Sequence, residues 1–175
     1  IINSQGEIID AQGYLSFEHE KALGSHITNL ENDFTNDKEK ILRHYVPIIQ
    51  NGQVSAMLYG VIKVDSLPNI LINEPYDGKA SAYIIEGKTG DLIVDTWHNE
   101  LGNLWDMGER KMAKGYNHEQ LKQGLIDGKS DYVVFVSETI DKYLYFYYAP
   151  LDINDWRIAL SVSEDVVFES SNLIQ

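Results

Sequence analysis

The chain of 175 residues contains no cysteine. That excludes disulfide staples and thiol chemistry, and it fits a bacterial extracytoplasmic domain as well as a cytosolic one. Basic residues are scarce, 14 against 27 acidic ones, for a net charge of -13. Such a surface repels phosphate, so neither nucleic acid nor an anionic membrane face is expected as a partner. No apolar run approaches the roughly 20 residues of a membrane span, and the first residues lack the pattern of a signal peptide. Catalytic signatures are missing too. There is no Gly-x-Ser-x-Gly, and Gly87-Lys88-Thr89-Gly90 lacks the remainder of a phosphate loop and falls in a hairpin. The histidines at 19, 26, 44, 98 and 118 show no tight ligand spacing. The expectation is a non-enzymatic domain with no catalytic residue, no metal and no cofactor.

What is present is a chain that is 43% apolar and 11% aromatic, enough for one packed domain or two small ones. Residues 143–164, YLYFYYAPLDINDWRIALSVSE, read as two strands and their turn. The aromatic density favours β structure and sets Tyr143, Tyr145 and Tyr147 on one face, with Leu144, Phe146 and Tyr148 on the other. Pro150 ends the first strand, 152–155 has the composition of a turn, and Trp156, Ile158, Leu160 and Val162 alternate along the return. The pattern occurs twice. Tyr45-Val46-Pro47-Ile48 precedes Asn51-Gly52 and a strand over 54–64, as Tyr148-Ala149-Pro150-Leu151 precedes Asn154-Asp155 and a strand. Upstream, Ile1-Ile2 runs to Asp10 and Ile84-Ile85 runs to Asp95, each through a turn containing glycine. Two copies of one unit are expected.

Between these landmarks, 11–30 reads as a short helix plus loop, and the acidic run 31–39 as a solvated loop. Strands are expected over 41–49 and 54–64, then Asp65 as the N-cap of a short helix over 67–71. In the second unit strands fall at 83–86 and 92–97. The stretch 98–129 has helical periodicity, carried by Leu101, Leu104, Trp105 and Met107 and then by a helix capped at Asn117 and closed by Gly128. Residues 132–138 add a strand, and 164–174 form an amphipathic helix. Strand, strand, helices and three strands is the order of a PAS-like unit. Ile1-Ile2 reads as a strand interior, so the chain is expected to be a truncated piece whose missing upstream part covers one face of the first sheet.

The segments YIIEGKTGDLIVDTW, VPIIQNGQVSAMLYGVIKVDSL and YYAPLDINDWRIALSVSEDVVF resemble the double Cache domain, the paired PAS-like sensor of bacterial receptors, and most of all those of diguanylate cyclases. The resemblance implies an α+β fold of two tandem PAS-like (Cache) units, each an antiparallel sheet with helices over one face, without the family's long N-terminal helix. It implies a membrane-distal unit over 1–65, a connector over 66–80, a membrane-proximal unit over 81–163, and a helix over 164–175 leading to the membrane. In the full-length protein, flanking helices would attach this extracytoplasmic part to the membrane, and a cytoplasmic diguanylate cyclase or kinase would be the output. The implied partner is a small-molecule ligand, with a homodimer as one assembly the family allows. The other reading is a ligand-free dimerisation or protein-interaction module.

For ligand contacts the expectation in the proximal unit is Tyr83, Asp95, Trp97, Arg110, Tyr145 and Tyr147. Aromatic walls with a carboxylate and a guanidinium suit a small polar or zwitterionic ligand. In the distal unit the expected contacts are Tyr45, Tyr59 and Asp65, with Tyr14 and His44 beside them. Asp65 matches the family's Asp after the last strand. No Arg-x-Trp-Tyr motif of the amino-acid binders occurs. For the tyrosines and for both aspartates, core packing or helix and turn capping is the competing explanation.

Overall fold

The computed structural model describes residues 2–3, 5, 16–33, 36, 38–69, 75–98, 101–106, 110–137 and 141–169. They belong to two compact units, Ile1–Ser66 and Leu67–Gln175.

In the first unit β1 (Ile2–Asn3) precedes α1 (Phe17–Leu23), β2 (His26–Ile27), β3 (Glu31–Asn32), β4 (Lys40–Gln50) and β5 (Gln53–Lys63). The antiparallel order is β1-β5-β4-β2, with β3 also on β4. Asn51 and Gly52 join the two long strands with φ of 52° and 76°. That is the left-handed pair a two-residue hairpin requires, and Asn-Gly supplies it at little cost. Ser16 caps α1 by accepting from the His19 N–H, and Gly24 at φ 69° ends it. Its Phe17 packs on Tyr45 and Met57 to form the core. The acidic stretch expected as a solvated loop does otherwise: Glu31 pairs with β4 and its carboxylate meets the buried Arg43. A buried guanidinium must find an anion, and β3 delivers one. Val46 and Leu58, opposite each other on the other face, are exposed with Ile48. Of the first expected hairpin, from Ile1-Ile2 to Asp10, the opening strand is seen as β1, while 6–10 and Tyr14 lie outside the described residues.

After the 3-10 turns Val64–Asn69 and Pro75–Gly78, the second unit has β6 (Ser81–Glu86), β7 (Leu92–Asp95), α2 (His118–Ile126), β8 (Asp131–Ser137), β9 (Lys142–Pro150), β10 (Trp156–Ser163) and α3 (Glu164–Glu169). The sheet order is β7-β6-β10-β9-β8, antiparallel throughout. In both units the first strand pairs with the last, and the last with its hairpin partner. This α+β arrangement of antiparallel sheets with few helices is the PAS-like fold expected from the sequence.

α2 starts at Asn117, whose side chain accepts from the Gln120 N–H at 2.8 Å. Its far end is held from the sheet. The buried Arg157 donates to the carbonyls of Leu125 (2.7 Å) and Ile126 (3.5 Å), filling acceptors that a helix C-terminus leaves open. Gly124 lets the helix descend onto the sheet, because a Cβ there would collide with the Tyr148 hydroxyl.

Several expectations change. Trp156, Ile158, Leu160 and Val162 do alternate along β10, but they are not its cavity face. Instead Ala159 opposes Tyr148 and Ser161 opposes Phe146, so the small residues stand under α2, while Ile158 and Leu160 stay half-buried on the outside. The helical periodicity expected to begin at 98 does not become a helix over 101–106. Residues 101–106 form turns tied to β7, with the Leu92 N–H donating to Gly102 O at 3.0 Å and the Leu104 N–H to Gly90 O at 2.7 Å. Met107 lies outside the described residues. Asp65 is the exposed second residue of a 3-10 turn rather than the N-cap of a helix. The paired asparagines share a left-handed backbone, Asn51 at 52° and Asn154 at 48°. Their prolines differ: Pro150 ends β9, whereas Pro47 lies inside β4, opposite Met57, beyond the stretch that β2 pairs. α3 is described to Glu169, and the remainder of the expected C-terminal helix lies outside the described residues.

A cavity under the second helix

Two small residues in the middle of the second sheet leave space, and the neighbouring strands supply its walls. Leu92, Leu104, Leu121, Phe135, Leu144 and Phe146 form the apolar part of a cavity of about 30 Å³. Tyr83, His98, Arg110, His118 and Ser161 form the polar part. The volume holds on the order of two water molecules. Residues 101–106 roof it: Trp105 rests where a side chain on Gly90 would be, and Gly90 takes a φ of 79° to make that turn.

The polar side is organised by Asp95 at the end of β7. Its carboxylate is inaccessible to solvent and accepts from the Trp97 N–H at 2.8 Å, the His98 N–H at 3.0 Å and His98 Nδ1 at 2.6 Å. This is an aspartate-led turn that reverses the chain and fixes the imidazole. With Nδ1–H donating to Asp95, Nε2 of His98 presents a lone pair toward Arg110 Nη2, 3.5 Å away. His118, the first residue of α2, has Nε2 at 2.7 Å from the Arg110 carbonyl, and its ring lies against Phe135. Arg110 is thus held by side chain and backbone while remaining exposed. Tyr83 faces the cavity from β6, and Ser161 lines it from β10. Burial, reinforced by the Asp95 charge, raises the Tyr83 hydroxyl above the ordinary phenol range and keeps it a proton donor.

Of the residues singled out from the sequence in this unit, Tyr83 and Arg110 line the cavity. Asp95 is spent on the turn that carries His98. Trp97 is 46% exposed and stacks on His98 outside the lining. Tyr145 and Tyr147 were expected as ligand contacts and stand on the face opposite the cavity, because strand alternation sends Leu144 and Phe146 inward. Tyr145 meets Phe168 of α3 edge-on, and Tyr147 is 49% exposed. The apolar side chains of β9, Leu144 and Phe146, take the inward face.

In the first unit Tyr45 is 1% exposed, stacked on His26 at 4.9 Å and against Tyr59 at 5.4 Å, with Arg43 over the Tyr59 ring. His26 Nε2 is 2.9 Å from the Glu20 carboxylate. These groups pack on one another along the inner face, with Tyr59 half-buried. Asp65 and the exposed His44 stand apart from them.

His98, His118 and Ser161 are cavity residues that motif reasoning passed over. The signal for His98 was local, Asp95 three residues ahead of it at a strand end. Ser161 could not be found from alternation, which favours large residues as the inward set. Among the described residues, no group of three or more histidine and carboxylate side chains is placed to hold a metal ion.

No family profile matches the chain, and no curated protein sequence matches it. Solved structures do. The extracellular domain of a histidine kinase, mmHK1S-Z3, superposes with a TM-score of 0.65 at 13% identity, covering 91% of this chain and 56% of that one. The periplasmic sensory domain of the Campylobacter jejuni chemoreceptor Tlp1 gives 0.57 at 16% identity, over 83% of this chain and 51% of that one. The ligand-binding domain of the Pseudomonas aeruginosa amino-acid chemoreceptor PctB, solved with L-Arg, gives 0.62 at 14% identity, over 95% and 70%. The chain thus spans about half the length of the first two domains, and it shares its fold with sensory domains of histidine kinases and chemoreceptors.

Proposed function

We propose that the chain is the ligand-sensing part of a bacterial transmembrane receptor, lying outside the cytoplasm and relaying a small-molecule signal to a cytoplasmic output such as a diguanylate cyclase. The supporting observation is the cavity of the second unit: apolar walls, with an arginine, a phenol and two histidines also in its lining. In this reading the first unit, 1–65, is membrane-distal, 81–163 is membrane-proximal, 66–80 connects them, and 164–175 leads to the membrane.

β9 offers a route for the signal. Leu144 and Phe146 wall the cavity from one face of the strand, and Tyr145, between them, bears on Phe168 of α3 from the other. Glu164 also accepts from the Tyr143 N–H at 3.2 Å, tying α3 to the same strand. A ligand that displaces the inward side chains shifts β9 and biases the seating of α3. Such a switch needs a differential affinity of only a few kcal/mol between two seatings.

The test is a thermal-shift screen of small metabolites against the chain and its Ser161→Met variant, which fills the cavity. At least one compound class should stabilise the parent and leave the variant unmoved. A second reading, a dimerising module that binds no ligand, draws on the exposed apolar residues Val46, Ile48 and Leu58. It predicts a concentration-dependent sedimentation coefficient and a silent screen.

A further inference from the structure

We propose that the cavity takes a small monocarboxylate with a short apolar chain, its carboxylate held between the Arg110 guanidinium and the Tyr83 hydroxyl. The proposal rests on reading the cavity as a ligand site and specifies what that site selects.

The three arginines of the chain carry the argument. Arg43 is buried and paired with Glu31, and Arg157 is buried and spends its N–H groups on carbonyls. Arg110 forms no ion pair among the described residues, in a protein with 27 acidic side chains to choose from. Yet it is not loose. His98 meets its guanidinium, His118 meets its carbonyl, and a solvent-inaccessible Asp95 orients His98. Holding a cation in the cavity lining with no anion partner among the described residues offers the guanidinium's N–H groups to a carboxylate, which they match in a bidentate fork.

Opposite charge is what the cavity lacks. Among the described residues no carboxylate lines it, and the one nearby, Asp95, is occupied by three N–H groups. An α-amino acid would therefore bring an ammonium with no anion to receive it, at a desolvation cost that a plain carboxylic acid avoids. The rest of the lining suits a hydrocarbon: Leu104, Leu121, Phe135 and Leu144. The small volume keeps that chain short. Tyr83 adds the second donor, its proton retained by burial.

The experiment is titration calorimetry of the 175-residue chain with propionate, butyrate and valerate, and with butyramide, butylamine and L-norvaline as controls of matched length. At least one monocarboxylate should bind, with the amide, the amine and the amino acid each about tenfold weaker or more. Arg110→Gln should weaken the carboxylate about tenfold or more without moving the unfolding midpoint, since the residue is exposed, and Arg110→Lys should retain part of the affinity. Norvaline binding as tightly as butyrate, or unchanged butyrate binding in Arg110→Gln, overturns the carboxylate assignment. A silent panel overturns it as well. The ligand-site reading falls separately, only when the broad screen finds no class that stabilises the parent over Ser161→Met.

Discussion

The two units follow one strand path yet use the inner face of the last strand in opposite ways. In the first, β5 presents Met57 and Tyr59, which pack with Tyr45 and Phe17 into an aromatic core. In the second, β10 presents Ala159 and Ser161 at the comparable place, flanked by Phe146 and Tyr148, and a cavity remains. Side-chain volume at two central positions therefore distinguishes aromatic packing in one unit from a small recess in the other. Charge follows the same division. The buried arginine of the first unit is neutralised by Glu31, whereas Arg110 in the cavity lining is pinned and left without a counterion among the described residues.

Emptying the aromatic core of the first unit should have the largest effect. Tyr45→Ala removes a ring that is 1% exposed and stacked on two others, and should cost about 3–5 kcal/mol in urea unfolding. A loss below 1 kcal/mol would mean that the first unit is no better packed than the second. Next comes Arg157→Met, which keeps the bulk but orphans the Leu125 and Ile126 carbonyls at the end of α2, for an expected loss of about 2–4 kcal/mol. Amide exchange in α2 should rise with it, and unaltered protection there would show that Arg157 does not hold the helix.

Filling the recess is the converse change. Ser161→Met should cost about 1–3 kcal/mol through overpacking and abolish any ligand-induced thermal shift. A variant that still responds would put the ligand elsewhere. In the first unit the alkaline response runs through Tyr45, whose hydroxyl is pushed up to about 12 by burial and by the charge of Glu20. The folded value exceeds the ordinary 10.0, so this stabilisation is complete below about pH 10 and is lost as pH rises toward 12. Tyr45→Phe should flatten that part of the stability curve. Smallest of all is Lys142→Ala, which removes a surface pair with Asp165 at 2.6 Å and should leave the unfolding midpoint within error. A measurable shift there would give α3 a firmer anchor than its exposed contacts suggest.

Local chemistry was well represented in the amino-acid order. Asn51-Gly52 dictates a tight hairpin, Asn117 caps a helix, and dense β-formers at 143–148 with a return over 156–163 dictate the central strands, because each depends on backbone preferences a few residues long. The tandem unit showed itself through its repeated turns. Which face of β9 and β10 turns inward was settled only by the tertiary structure. Both faces are apolar or aromatic there, and the choice depends on how close Gly124 lets α2 come to Tyr148 and on Arg157 reaching the helix end. The cavity chemistry was half hidden for the same reason. Tyr83 and Arg110 could be named from residue type, but His98 and His118 meet around Arg110 only once the chain turns at Asp95 and α2 lies across the sheet, since contacts between distant residues depend on packing that no short pattern encodes.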